Sequence, residues 1–361
     1  MKRLHLYCLL AFCLLLLSPL PAAAQKYAEV FITVRTSPES DFQTTLSIQS
    51  REKLGEKILQ SKKAAATHPP DLPQSTIQVK NRQYVFDSCD RLFDAKTHEE
   101  ILLPANVRAS LHQWVEKVKK AHFGSPMLWE QVKTDFRRMA FAEVIDLETG
   151  KRFRVQRRAG SQHADVQPLT STDTKTMKEI YQGKWSWKRR AILLHVNGTK
   201  YAASMHGMPH GAGAIRGNNF PGHFCIHFKG SSTHRHPEPD PGHSFMIMKA
   251  AGQLDEEIKK ASPQLLVDYF LTALREQDFS TLAKTVADNE LALRMQDILY
   301  LKPLEDERDE GIVDVDSAII PAKITYVQKG SNRKHNETWI FWLKRSSPLD
   351  RWKIADIVTE N

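Results

Sequence analysis

The most informative stretch of the chain is residues 191–228, with the sequence AILLHVNGTKYAASMHGMPHGAGAIRGNNFPGHFCIHF. Two apolar runs, 191–196 and 200–205, flank Asn197-Gly198, a dipeptide typical of the type I′ turn that joins two antiparallel strands. A glycine-rich loop follows at 211–219, and residues 220–229 predict another strand that the loop can bring back beside the hairpin. This stretch therefore predicts a β-rich domain.

The residues before this stretch extend the same domain. Segments 141–146 and 153–156 predict two strands joined by a turn, and 127–138 and 173–182 predict short helices. Gly124-Ser125-Pro126 marks the start of this domain and Ala251-Gly252 marks its end, because these small or rigid residues interrupt regular structure. We expect a central β-rich domain of the catalytic type over residues 124–252.

The N-terminal part of the chain predicts a small α+β domain over residues 25–123. Residues 29–34 predict a strand, and a helix is expected near 52–66. Alternating residues at 77–86 predict a β-hairpin, and Pro104 begins a helix with apolar residues at helical spacing. No chemistry-bearing motif is visible in this part of the sequence.

The C-terminal part, residues 261–361, follows a predicted linker that begins at Ala251-Gly252. Helices at 263–276 and 279–289 precede three predicted strands, at 318–328, 337–344 and 352–358. This order of elements resembles the cystatin-like (SnoaL-like) α+β cone. The fold class expected for the whole chain is therefore α+β and multidomain, with the central β-rich domain between a small N-terminal α+β domain and a C-terminal cystatin-like cone.

Composition limits the classes of protein that the chain can belong to. A length of 361 residues is too great for one average domain, and 41% hydrophobic with 26% charged residues is ordinary for a globular protein. Four cysteines are too few for a disulfide scaffold. The net charge of +9 permits an anionic partner but does not require nucleic acid, and we expect none.

The first 24 residues predict a secretory signal peptide. Lys2 and Arg3 form a positive start, residues 9–17 are apolar, and Ala22-Ala23-Ala24 offers a cleavage site before Gln25. Cleavage would change the charge from +9 to +7, because 9 − 2 = 7. We expect a protein that is secreted to the extracellular space or cell envelope, without a transmembrane segment once the signal is removed.

Histidines cluster around one cysteine in the central domain. Nine of the fifteen histidines lie between residues 163 and 243. Side chains alternate along a strand, so His223, Cys225 and His227 share one face. The other face carries Phe224, Ile226 and Phe228. A thiol becomes a nucleophile when an imidazole takes its proton. His206 ends the second strand of the hairpin, and the glycine-rich loop that follows can place it beside Cys225.

Two short motifs carry a resemblance to a known family. His206-Gly207, a loop, and then Gly222-His223-Phe224-Cys225-Ile226-His227 resemble the L,D-transpeptidase (YkuD-type) catalytic domain, here with His227 in place of an arginine. The resemblance implies a β-sandwich, Cys225 as the acyl-accepting nucleophile, His206 as the general base and His223 as the residue that orients the site. It also implies that Gly207 and His227 line the substrate site, and that the substrate is a peptidoglycan peptide or another cell-wall polymer. We expect Cys225 to be exposed and partly ionised near neutral pH.

The same stretch also supports a metal-site hypothesis. Imidazole and carboxylate groups bind Zn²⁺ in catalytic sites, and candidate ligands are available here: His206, His210, His223, His163 and Asp165. His223 and His227 cannot share one ion, because residues four apart on a strand lie about 13 Å from each other. The zinc hypothesis describes a zinc-dependent cell-wall peptidase; the cysteine hypothesis requires no cofactor.

A third hypothesis is a cell-wall-binding module without activity. Under either enzyme hypothesis, Arg157 and Arg158 are candidates to hold substrate carboxylates, because they precede the His163-Ala164-Asp165 segment in a loop-like stretch. The sequence leaves all three hypotheses open.

Overall fold

The structure is a computed structural model that describes residues 28–49, 53–233, 238–303 and 311–360. It is a mixed α+β protein whose strands form three antiparallel sheets, one of them a closed barrel. The predicted signal peptide, residues 1–24, lies outside the described residues. Among the helices of the described residues, none is long and apolar enough to cross a membrane.

The N-terminal sheet has the strand order β2-β1-β4-β5-β6-β7-β3. Its strands are β1 (Val30–Arg35), β2 (Gln43–Ile48), β3 (Lys62–Ala64), β4 (Ser75–Val79), β5 (Arg82–Phe86), β6 (Leu92–Asp94) and β7 (Glu100–Leu102), and helix α2 (Ala105–His122) packs across it. The predicted hairpin and the helix after Pro104 are confirmed. The helix expected near 52–66 is too long: α1 (Leu54–Gln60) ends early because β3 pairs with β7, a contact distant in sequence.

The central strands close into a six-stranded barrel with the order β10-β13-β12-β11-β8-β9. They are β8 (Phe141–Asp146), β9 (Arg152–Ala159), β10 (Ala164–Pro168), β11 (Arg189–Val196), β12 (Thr199–His206) and β13 (Phe224–His227). Helices α3 (Trp129–Asp135) and α4 (Ser171–Ile180) join them, and α4 begins at a capping box between Thr170 and Asp173. The predicted hairpin at Asn197-Gly198 is confirmed.

The predicted linker after Ala251-Gly252 is wrong in its conformation, because residues there form a helix, α6 (Leu254–Lys260). Before it lies α5 (Pro241–Ala250), where the Asp240 side chain accepts the backbone N–H of His243 and Pro241 occupies the first turn. Helices α7 (Pro263–Glu276), α8 (Phe279–Thr285) and α9 (Asn289–Arg294) follow.

The C-terminal sheet confirms the three predicted strands and adds two more. Its strands are β14 (Ile298–Pro303), β15 (Ile312–Val313), β16 (Ser317–Gln328), β17 (Lys334–Lys344) and β18 (Lys353–Glu360), in the order β14-β16-β17-β18 with β15 beside β16. Alternate residues of β16 are buried, since one face of the sheet packs on α7.

The buried apolar residues form three clusters. One lies under the N-terminal sheet, and a second is formed mostly by the barrel strands. The third joins α7 and the C-terminal sheet, including Phe270 and Phe341, to Phe245 of α5 and to Leu193 of the barrel. The core of the C-terminal part therefore continues into the outer surface of the barrel.

Candidate functional site

The histidine–cysteine cluster lies on the outer face of the barrel at β13. Phe224 and Ile226 belong to the apolar cluster of the barrel, so Cys225 and His227 point to the opposite face, as the strand alternation predicts. Strands β10 and β12 flank β13 on its two sides, and α5 packs over β11 and β12. The site is thus built by three strands, one helix and the loop between β12 and β13, which carries His210.

Cys225 lies at the centre of the cluster and is buried, with 4% of its surface exposed. Its Sγ is 3.4 Å from His210 Nε2 and 3.7 Å from Asp165 Oδ1. Burial raises the pKa of the Cys225 thiol well above its ordinary value, and the charge of Asp165 raises it further. The expectation of an exposed Cys225 is therefore wrong: the thiol is buried among polar groups, and this environment favours its protonated form over the ionised form that we expected.

His210 is in hydrogen-bond contact with the Cys225 thiol. Its Nδ1 lies 3.1 Å from the backbone oxygen of Met208. A carbonyl oxygen can only accept a hydrogen bond, so Nδ1 carries the ring proton and Nε2 presents its lone pair to Cys225 Sγ. Backbone hydrogen bonds of 2.9 Å in both directions between His210 and His223 hold the loop against β13.

Gly222 permits this close approach of the two backbones. Its φ is +113°, and a Cβ there would lie 2.4 Å from the backbone oxygen of His210. Any side chain at this position would therefore push the loop away from β13, and His210 with it. A loop bridge that depends on one glycine leaves little trace in the sequence, which explains why the sequence favours His206 as the base.

His206, the predicted base, lies beside His210 but makes a different hydrogen bond. Its Nδ1 accepts the backbone N–H of Met208 at 3.3 Å, so the ring proton of the neutral imidazole is on Nε2. Burial, followed by the charge of His210, holds the pKa of His206 well below its ordinary value. The indole of Trp187, 54% exposed, packs on both imidazoles, with ring centroids 4.7 Å from His206 and 5.3 Å from His210.

Gly207, predicted to line the substrate site, has a structural constraint of its own. A Cβ at this position would lie 2.4 Å from the ring of Tyr181. Its N–H donates to the backbone oxygen of Ser186 at 2.8 Å. Gly207 thus fixes the end of β12 next to the segment that carries Trp187.

His223 and Asp165 also lie near Cys225, and the ring of His223 is 4.4 Å from that of His210. Asp165 is opposite Cys225 in the pairing of β10 with β13. The Nδ1 of His223 is 3.1 Å from the backbone oxygen of Ala212, and its Nε2 is 3.8 Å from Asp165 Oδ1. His163 adds a third imidazole of this kind, with Nδ1 2.8 Å from the backbone oxygen of Ser232 and Nε2 3.1 Å from Asp165 Oδ1.

A stack of buried imidazoles closes the site on the side of α5. The rings of His227 and His243 are 3.8 Å apart and nearly parallel, and His163 stacks on His227 at 4.6 Å. His243 Nδ1 also lies 2.9 Å from Ser204 Oγ, and burial holds the pKa of His243 well below its ordinary value. His243 was not among the residues singled out from the sequence, although the Asp240-Pro241 pair is a helix-start signal that places it in the first turn of α5.

The two arginines predicted to hold substrate carboxylates are engaged elsewhere. The Arg157 guanidinium is buried, donates to the backbone oxygens of Phe136 and Gly160, and lies over the ring of Trp129. Arg158 donates to the side chain of Gln156 at 2.6 Å. These contacts hold β9 and the following turn against α3.

Three groups of possible metal ligands share Cys225, with ligand atoms within 4.8 Å of one another in each: His163, Cys225 and His227; His206, His210 and Cys225; Asp165, His223 and Cys225. No protein-family model matches the chain, and no curated protein matches it significantly in sequence. The function of the site must therefore be inferred from its own geometry. That geometry can support thiol chemistry with an imidazole base, or the binding of a cation.

Proposed function

We propose that the protein is an exported cell-wall enzyme that transfers or hydrolyses peptidoglycan peptide acyl groups through a thioester on Cys225. The observation that carries the proposal is the 3.4 Å contact between Cys225 Sγ and His210 Nε2, with His210 Nδ1 held by the Met208 carbonyl. A nucleophile within reach of a base that a third group orients is the arrangement that covalent catalysis requires. The general base is His210, in place of the predicted His206.

The raised pKa of the buried Cys225 thiol means that its proton must be removed as part of the attack. Because burial keeps the Cys225 thiol protonated, no thiolate–imidazolium pair forms in advance. His210 Nε2 takes the thiol proton as Sγ attacks the peptide carbonyl carbon, and the resulting imidazolium gives that proton to the leaving amine. The thioester is then attacked by an acceptor amine or by water, which yields transfer or hydrolysis and restores the thiol.

The same proposal includes the substrate, the secretion of the protein and the role of the flanking domains. The resemblance of residues 206–227 to the L,D-transpeptidase motif supports a cell-wall peptide as substrate, and the signal peptide supports secretion. We assign catalysis to residues 124–252 and propose that the flanking domains, 25–123 and the cystatin-like 261–361, position the enzyme on its polymer. Nucleic acid has no part in this function.

Turnover of peptidoglycan stem peptides by the mature protein, treated with a chelator, tests the proposal. Cys225→Ala should abolish turnover, and His210→Ala should lower kcat by about 10²–10⁴-fold, as expected for a lost general base. Cys89→Ala is the matched control, because Cys89 is an exposed free thiol outside the site. Full turnover by Cys225→Ala would refute the thioester mechanism, and equal losses in His206→Ala and His210→Ala would refute the assignment of His210 as the base.

A zinc-dependent cell-wall peptidase is the second candidate, because several imidazoles and one carboxylate converge on Cys225. It requires that the chelator abolish turnover and that added Zn²⁺ restore it. A wall-binding module without activity would bind peptidoglycan in every variant and turn over none.

A further inference from the structure

We infer that the cluster also binds one thiophilic divalent cation of the Zn²⁺ class, held by Cys225 Sγ, His210 Nε2, His223 Nε2 and Asp165 Oδ1, and that this ion reversibly blocks the thiol. The metal site stands by itself, whereas the block of catalysis rests on the proposed function. Four ligands of sulfur, imidazole and carboxylate type are the set that Zn²⁺ prefers.

The ring tautomers support a cation at this point. Backbone oxygens of Met208 and Ala212 fix the ring protons of His210 and His223 on Nδ1, so both Nε2 atoms present lone pairs. Metal-binding histidines characteristically donate their other ring N–H to such an outer group, which fixes the ring orientation. His206 is not a ligand in this proposal, because its Nδ1 already accepts the Met208 N–H.

Three of the distances between the proposed ligand atoms are close to those of a tetrahedral site. Zn–S bonds of about 2.3 Å and Zn–N or Zn–O bonds of about 2.0–2.2 Å place neighbouring ligand atoms about 3.3–3.8 Å apart. Sγ is 3.4 Å from His210 Nε2 and 3.7 Å from Asp165 Oδ1, and Asp165 Oδ1 is 3.8 Å from His223 Nε2. Cys225, His223 and Asp165 form one group whose ligand atoms lie within 4.8 Å of one another, and His210 belongs to a second group that shares Cys225. The His210 imidazole must therefore move toward His223 and Asp165 to complete the set.

Charge balance favours the ion in a buried position. When the ion binds, the Cys225 thiol releases its proton to solvent, and the resulting thiolate and the Asp165 carboxylate together neutralise the divalent cation. Two neutral imidazoles complete the set without adding charge. Buried charges are stable when they are paired or coordinate a metal. His163 lies beside this carboxylate, with Nε2 3.1 Å from Asp165 Oδ1, but its ring proton is on Nδ1 and is donated to the Ser232 carbonyl, so a neutral His163 offers no proton to Asp165.

Coordination and acyl transfer use the same electron pairs. An ion bound to Sγ holds the pair that attacks the carbonyl carbon, and an ion bound to His210 Nε2 holds the pair that takes the thiol proton. The cation and the acyl donor therefore exclude each other, and a chelator should release the enzyme from the block.

Equilibrium dialysis of the mature protein against buffered Zn²⁺, followed by metal analysis, tests the site. We expect one ion per chain, and a thiolate-to-metal charge-transfer band when Co²⁺ replaces Zn²⁺. Cys225→Ser should remove that band, and His223→Ala should weaken Zn²⁺ binding by about 10²-fold or more, since outer partners alone give 10–100-fold effects. The matched control is His195→Ala, an exposed imidazole on β11 outside the cluster, which should leave binding unchanged.

Alkylation rates give a readout that does not depend on turnover. Zn²⁺ should slow the labelling of Cys225 and leave that of exposed Cys89 unchanged in the same molecule, and a chelator should reverse the effect. Absence of a bound ion, or equal affinity in wild type, Cys225→Ser and His223→Ala, would overturn the site. His223 is only half-buried, so His223→Ala keeps the test valid if Cys225→Ser does not fold. Activation of turnover by the ion would leave the metal site standing and overturn both the block and the thioester mechanism.

Discussion

His122, in the last turn of α2, is a buried imidazole outside the candidate site. Its ring nitrogens contact the hydroxyls of Thr36 at 3.2 Å and Thr44 at 3.0 Å, and Phe42 and Phe123 pack against it. Burial, with a smaller contribution from the charge of Lys200, lowers the pKa of His122 to about 4 from 6.5. The native protein therefore binds a proton at His122 only at a lower pH than the unfolded chain does.

This difference predicts a loss of stability in acid. The contribution of His122 is fully present above pH 6.5 and is lost as the pH falls from 6.5 to about 4, because only the unfolded chain is protonated in that window. At about pH 5 the loss should be roughly 2 kcal/mol. Urea unfolding at about pH 7 and about pH 5 measures it in wild type and in His122→Gln.

Protonation of other buried histidines also destabilises the folded protein in acid, but wild type and His122→Gln share those histidines. The difference between wild type and His122→Gln isolates His122. Equal losses of unfolding free energy in the two proteins would show that His122 titrates normally in the native state.

Single residues of the site could be predicted from the sequence only where local geometry decides their position. Strand alternation places Cys225 and His227 on one face correctly, because it depends on adjacent residues alone. The choice between His206 and His210 depends on the loop bridge to His223 and on the positive φ of Gly222, which arise from long-range contacts. Burial of the thiol beside Asp165 of β10 and His210 of the loop is equally invisible in the sequence, and it reverses the expected direction of the Cys225 pKa shift.

The hairpin of β11 and β12 orders the strand that carries His206. Its turn residues, Asn197 and Gly198, have φ of 48° and 83°. A Cβ at Gly198 would meet nothing within 4 Å, so only backbone strain opposes a side chain there. Gly198→Ala should therefore lower the free energy of unfolding by about 1–2 kcal/mol in urea titrations.

Gly198→Asn is the matched control for the hairpin, because asparagine tolerates the left-handed region better than alanine does. It should retain most of the stability that Gly198→Ala loses. If Gly198→Ala is as stable as wild type, the turn has a different backbone conformation in solution.

Elements with a strong local signal were predictable, and those that depend on partners were not. The helix beginning at Pro263 and the strand beginning at Ser317 match their predicted bounds closely, because their apolar spacing is regular. The six-stranded closure of the barrel depends on the pairing of β9 with β10 and of β10 with β13, which no local pattern specifies. The helical α6 was missed because its charged residues are typical of a linker as well.

At the scale of the whole molecule, the third apolar cluster predicts how the C-terminal part unfolds. Phe245 and Ile258, from α5 and α6, pack in one cluster with Phe270 of α7 and Phe341 of β17. A fragment of residues 261–361 should melt cooperatively, since α7 and the sheet supply most of that cluster. A fragment of 241–361 should melt at a higher temperature, because it also buries the apolar residues of α5 and α6.

Calorimetry of the two fragments side by side measures the difference. The same melting temperature in both would mean that α5 and α6 belong energetically to the barrel alone. A broad, non-cooperative melt of the shorter fragment would contradict the predicted domain 261–361.

The position of Trp187 gives the molecule a built-in optical reporter. Its indole is in contact with His206 and His210 and faces solvent, so its excited state is sensitive to the charge of two imidazoles at once. The emission of wild type minus that of Trp187→Phe isolates this one fluorophore from the other six of the seven tryptophans. The proposed cation binding and the proposed acylation at the site can thus be tested by fluorescence quenching without a label.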